Sequence, residues 1–111
     1  MMAVLAVRAI EEVKVYSQRK ESREAFARDA ADKYDASIRA VDTPEECVEG
    51  VDVIMCGTSS MLPVVRAEWL RPGMHVSCIK TQEIDAAVLN RCNKVVVHTK
   101  HQAKQIDHVM P

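Results

Sequence analysis

The residues best placed to do chemistry sit where apolar runs stop. Val51 to Cys56 reads VDVIMC, and Gly57-Thr58-Ser59-Ser60 follows at once. Hydroxyls and a glycine at the end of a buried strand offer hydrogen bonds and close approach to a ligand. The plain alternative is an ordinary strand-to-loop turn, and pattern alone leaves the two level. Ser59 and Cys78 are nucleophile types, but the chain has no Gly-x-Ser-x-Gly elbow, so a hydrolase is set aside. His98 and His101 have His-x-x-His spacing, with His108 beyond. That spacing can put two metal ligands on one helical face. Here His98 ends an apolar run, and no cysteine or carboxylate pair stands in register. These read as surface histidines, His75 reads as structural, and no metal site is expected.

Bulk composition narrows the class. The chain has 111 residues, 48% of them hydrophobic and 28% charged, with a net charge of -1. This fits one small globular domain spanning residues 1–111. The near-neutral charge gives no electrostatic case for nucleic acid or an anionic membrane. No apolar run approaches the roughly 20 residues of a membrane helix, and Glu11 and Glu12 close an amino end that lacks a signal-peptide cleavage site. Cys47, Cys56, Cys78 and Cys92 form no CxxC pair. They read as reduced thiols of a cytoplasmic protein. Aromatics make up only 4%, so the core must be aliphatic. The six methionines are scattered and read as core filler.

The order of elements then positions the candidate residues. MMAVLAVRAI reads as the end of a helix. VKVYS, Val13 to Ser17, is β-type. Glu21 to Tyr34 is a polar helix with Ala25, Phe26 and Ala30 as its buried stripe. The charges from Gln18 to Arg28 read as a solvated, paired face. Ser37 to Val41 is a second strand. Thr43-Pro44-Glu45-Glu46 opens a helix with a capping box, and Gly50 ends it. VDVIMC is the third strand. Val64 to Leu70 is a short helix or turn, Arg71-Pro72-Gly73 a turn, and Met74 to Ile79 the fourth strand. Ile84 to Cys92 is a helix, Lys94 to Thr99 a fifth strand, and the tail is polar. Strands alternating with helices favour a parallel α/β sheet, and continuous apolar runs favour strands buried on both faces. In such sheets ligands bind beyond the carboxyl ends of the strands.

Taken in order, VKVYSQRKESREAFA, IRAVDTPEECVEGVDVIMCGTSS, PVVRAEWLRPGMHVSCI and EID-x-x-VL resemble the NAD(P)-binding Rossmann domain of the ornithine cyclodeaminase/μ-crystallin family. The likeness runs through about residues 4 to 99. Its most telling part is the linked order of VDVI, Thr-Ser-Ser and Glu-Trp-Leu-x-Pro-Gly-x-His. The resemblance implies a Rossmann-like fold, NAD or NADP as cofactor, and cyclodeamination, imine reduction or related amino-acid dehydrogenase chemistry. It also implies three cofactor-contact regions. Ser17, Gln18 and Arg19 would meet the adenosine ribose, Thr58 and Ser59 would follow the next cofactor-facing strand, and Cys78 and Ile79 would lie nearest the nicotinamide. An acidic residue at the ribose position would repel a 2′-phosphate. Ser17 followed by Gln18, Arg19 and Lys20 suits a phosphate instead, which favours NADP over NAD.

Three departures from the family pattern shape the functional expectation. The three glycines, Gly50, Gly57 and Gly73, supply no GxGxxG loop, so the first strand and phosphate loop of a Rossmann unit are lacking. No substrate domain is present. The family's acidic residue after the fourth strand has no counterpart in Ile79-Lys80-Thr81-Gln82-Glu83-Ile84-Asp85; Asp85 matches a later position, and no spacing supports Glu83 as its substitute. The expected function is therefore the NAD(P)-binding portion of such a protein, truncated, inactive alone, and with weak or absent cofactor binding. A small amino acid or imine would be the substrate only of the complete relative. A sheet without its central strand exposes backbone edges, so the chain should be poorly stable alone or pair with another chain, as in a homodimer. The competing class is a non-catalytic small protein binding NADP or a partner.

Overall fold

A parallel strand pair needs a crossover that returns the chain to the end where its first strand began. The computed structural model describes residues 8–58, 63–78 and 83–97. The chain divides into two compact units, Met1–Cys47 and Val48–Pro111. The first holds β1 (Glu12–Val15), α1 (Lys20–Lys33) and β2 (Ser37–Ala40), followed by α2 (Pro44–Val48), whose last residue opens the second unit. The second holds β3 (Val53–Cys56), a 3-10 turn (Ala67–Trp69), β4 (His75–Cys78) and α3 (Ala86–Arg91). The expected α/β class, with parallel strands and flanking helices, is observed.

In the first unit β1 pairs with β2 in parallel, Val13 beside Ile38 and Val15 beside Ala40. The helix α1 packs against both strands. Its buried residues are Arg23, Ala27 and Ala30, which recur at helical spacing along one face. The expected stripe of Ala25, Phe26 and Ala30 is thus corrected. Ala25 is half-buried, and Phe26 is turned out with 48% of its surface exposed. On the solvated face Lys20 and Glu24 approach to 4.0 Å at i,i+4 spacing.

Local capping chemistry sets α2. The Thr43 hydroxyl oxygen accepts from the Glu46 backbone N–H at 3.1 Å, and the hydroxyl donates to the Glu46 carboxylate at 3.3 Å. Gly50 follows with φ +72, a left-handed conformation that closes helices and favours glycine. The α2 segment is tied to β1 by Lys14 Nζ donating to the Glu46 carbonyl at 3.3 Å and by the Cys47 thiol donating to the Lys14 carbonyl at 3.4 Å.

In the second unit β3 and β4 are parallel, with Ile54 beside Val76 and Cys56 beside Cys78. Val48, Ile54, Cys56 and Val65 form the core, with Trp69, Leu70, Met74, Val76 and Cys78 packed around it. The Arg71-Pro72-Gly73 turn is closed by Met74 N–H donating to the Arg71 carbonyl at 3.3 Å, with Gly73 at φ +87. The carboxylate of Asp85 caps α3 through Val88 N–H at 3.1 Å, and Arg91 donates to the Ala67 carbonyl at 2.8 Å behind the 3-10 turn.

Two further expectations are corrected. The strands are not buried on both faces. β2 and β4 alternate between exposed and half-buried, and in β3 Met55 is 56% exposed between buried Ile54 and Cys56. Each strand has one ladder neighbour among the described residues. Lys94 to Val97 is not a strand, and Val96 is 86% exposed. β propensity without a ladder partner does not make a strand. His98 and Thr99 of that expected strand lie outside the described residues, as do His101, His108 and residues 1–7. Residues 8–10 are not helical. Among the described residues no helix is long and apolar enough to cross a membrane.

Packing at Val88, which is 1% exposed, generates a direct test. Val88→Ala should cost about 1–3 kcal/mol of folding stability, whereas Val96→Ala should change it by less than about 0.5 kcal/mol. Thr43→Ala should cost about 1 kcal/mol through the lost cap. Urea denaturation of the three variants measures all of these.

Candidate functional site at the carboxyl ends of the strands

Parallel pairing brings the carboxyl ends of both partners to the same end of each pair. In the first unit, Ser17, Gln18 and Arg19 form the turn from β1 into α1. The Ser17 hydroxyl donates to the Arg19 carbonyl at 3.1 Å. Arg19 is the N-cap residue of α1, with extended backbone and no side-chain cap bond. The first-turn N–H groups therefore face outward without a capping side chain, an arrangement that accepts anions. Arg19 is exposed and has no ion pair among the described residues.

A buried arginine holds this turn in place. Arg23 is 8% exposed. One guanidinium nitrogen donates to the Ser17 carbonyl at 3.1 Å, and the other pairs with Asp42 at 3.1 Å. The guanidinium also lies over the Tyr16 ring, 5.3 Å from its centroid. Arg23 thus joins the turn after β1 to the turn after β2. Its fork is committed to protein partners, which leaves Arg19 as the outward-facing cation of the pair.

In the second unit the polar groups meet at Glu83. Its side chain is fully buried at 0% exposure. Glu83 Oε2 accepts from the Thr58 backbone N–H at 2.7 Å and from the Thr58 hydroxyl at 2.9 Å. Cys78 ends β4, and its thiol pKa is raised, first by burial and then by the Glu83 carboxylate nearby. Burial likewise pushes the Cys47 thiol up, against a smaller opposing pull from Lys14.

Of the residues expected from sequence, Ser17, Gln18 and Arg19 are brought together in the first unit, and Thr58 and Cys78 share the neighbourhood of Glu83 in the second. Ser59 and Ile79 lie outside the described residues. Sequence reasoning did not give Arg23 or Glu83 a site role. The Glu83–Thr58 contact spans 25 positions, and neither residue type nor spacing signals it. His75 has an exposed side chain, and its backbone N–H donates to the Asp52 carbonyl at 2.8 Å, a strand-entry contact.

Comparison with known proteins decides the family. The profile of the ornithine cyclodeaminase/mu-crystallin family matches residues 1–109. The chain belongs to that family. A Delta(1)-pyrroline-2-carboxylate reductase of Bacillus cereus is 33% identical over 106 residues, covering 91% of this chain and 32% of the relative. An alanine dehydrogenase of Archaeoglobus fulgidus is 34% identical over 101 residues, covering 86% of this chain and 30% of the relative. The ketimine reductase mu-crystallin of Macropus fuliginosus is 26% identical over 89 residues, covering 76% and 27%. Among solved structures, the Thermococcus litoralis Delta(1)-pyrroline-2-carboxylate reductase, in complex with NADH and L-proline, matches with a TM-score of 0.76 and 27% identity. That match covers 81% of this chain and 29% of the other. The chain thus spans about a third of the length of these relatives.

The raised thiols carry a pH signature. A thiol whose folded pKa exceeds its unfolded value contributes stability that is fully present below the unfolded pKa, about 8.5. That contribution is lost as pH rises through the folded-state pKa. Stability should therefore fall from mildly alkaline pH upward, and the fall should be smaller in a Cys47→Ser, Cys78→Ser double variant. Thermal melts across this range check the sign; an unchanged slope in the double variant would contradict it.

Proposed function

We propose that residues 1–111 form part of an NAD(P)-binding domain of a reductase or cyclodeaminase, with the turns that follow the strands as the dinucleotide contacts. The observation that carries this reading is the β1-to-α1 turn. In a chain of this family, Ser17, Gln18 and Arg19 stand at an uncapped helix start with no acid among residues 16–20, the nearest being Glu21 in the first helical turn. That donor set fits the group. Arg19 supplies a fork for a phosphate, and Ser17 can exchange its bond to the Arg19 carbonyl for a phosphate oxygen. The preferred cofactor is NADP rather than NAD. Thr58, which follows β3, would meet the dinucleotide there, and Cys78, which ends β4, would lie toward its nicotinamide.

When bound, the dinucleotide would supply hydride exchange with an amino acid or cyclic imine. The chain's own residues bind and orient it; none is assigned to acid–base chemistry. We therefore expect this chain alone to bind the cofactor weakly and to turn over nothing. Substrate recognition, with a small amino acid or imine as substrate, belongs to the longer proteins of the family.

Two measurements test this. Arg19→Ala should weaken NADPH more than NADH, by about tenfold in the ratio of affinities, or about 1.4 kcal/mol. Equal loss for both dinucleotides would contradict a 2′-phosphate contact. Mixing the chain with NADPH and a cyclic imine should leave the cofactor absorbance constant; a steady fall would refute inactivity.

A further inference from the structure

Glu83 makes contact with both ends of the segment that follows β3. Its carboxylate oxygen Oε2 accepts from the N–H and the hydroxyl of Thr58, at 2.7 and 2.9 Å. Its backbone carbonyl accepts from Val64 N–H at 2.9 Å. Thr58 begins that segment and Val64 ends it. Asp85, next but one along the chain, caps α3, whose Val88 is 1% exposed. Thr58 and Val64 are thereby both bonded to Glu83, which stands just before a packed helix.

A buried carboxylate is costly unless charge-assisted hydrogen bonds satisfy it. An apolar residue of similar size could fill the same space, but it could not fix Thr58 by two bonds. At 0% exposure the Glu83 side chain is closed off from solvent, which suits support of Thr58 rather than direct contact with a substrate. We propose that Glu83 is a positioning residue, which sets the backbone and hydroxyl of Thr58 for the dinucleotide. This inference rests on the dinucleotide reading of Thr58 given above.

The Glu83 carboxylate has a second neighbour in Cys78, whose thiol it helps to keep protonated. Acceptor and charge can therefore be separated by substitution. Glu83→Gln keeps an oxygen acceptor at the same reach and removes the charge. Glu83→Asp keeps the charge but falls short by one methylene. Glu83→Ala removes both.

The test uses the whole chain, with amide NMR during titration by millimolar NADPH and by NADH, amide hydrogen exchange without ligand, and the pH profile of Cys78 alkylation by iodoacetamide. In the wild type and in Glu83→Gln, the Thr58 amide should be protected from exchange and should shift on adding dinucleotide. In Glu83→Asp and Glu83→Ala, protection should fall at least about tenfold, and the dinucleotide shift should be lost. Only Glu83→Gln should move the Cys78 alkylation profile to lower pH while keeping the dinucleotide response. A purely packing role would not produce this crossed pattern. If Glu83→Ala does not fold, the Gln and Asp variants decide the matter. A dinucleotide response that survives in Glu83→Asp, or that is lost in Glu83→Gln, overturns the inference while the dinucleotide reading stands. A wild-type chain that responds to neither NADPH nor NADH overturns both, while hydrogen exchange still reports whether the Glu83–Thr58 bonds form.

Discussion

Parallel pairing within each unit is the constraint from which the candidate site follows. A parallel partner must arrive by a crossover, so both strands of a pair end on the same side. The polar turns that follow them are then neighbours and must be held apart from the apolar core. Each unit does this with one buried charge. In the first, the Arg23 guanidinium joins the Ser17 carbonyl to Asp42 and lies over Tyr16. In the second, the Glu83 carboxylate receives two bonds from Thr58 while its carbonyl receives Val64. These are the two buried charged residues among the described ones. Both bond to turns that follow the strands and fix their backbone.

Much of the element order was legible because it depends on local chemistry. Helix α1 follows from a run of good helix formers, and its observed bounds differ from expectation by one residue at each end. Thr43, Pro44 and Gly50 announce the start and end of α2 through capping and a left-handed backbone. The turn at Pro72 and Gly73 is equally local. What failed depends on tertiary partners. Phe26 is apolar yet exposed, because the face of α1 that meets the strands carries Arg23, Ala27 and Ala30. Val95, Val96 and Val97 have high β propensity, yet no described strand pairs with them. The continuous apolar runs suggested strands covered on both faces, but β2 and β4 alternate between exposed and half-buried residues, and Met55 of β3 is exposed.

The site was legible in a similar, uneven way. Thr58 could be picked out because hydroxyls directly after an apolar run are visible in sequence, whereas Ser17 and Arg19 were implied by the family resemblance. Arg23 and Glu83 could not, because their partners lie far along the chain. Glu83 reads in sequence as one acid among several before a helix. Only folding brings it to Thr58, and only the folded chain shows that its side chain is buried. Family membership adds the chemical context, since relatives include reductases of cyclic imines and an amino-acid dehydrogenase. The likeness covers about a third of their length.

Thermal stability of the chain measured against NADPH concentration tests the central claim most directly. A ligand that binds only the folded state raises stability by RT ln(1 + [L]/Kd). The account predicts a melting temperature that climbs with NADPH in the millimolar range and climbs less with NADH. A melting temperature that stays flat with both dinucleotides would contradict it.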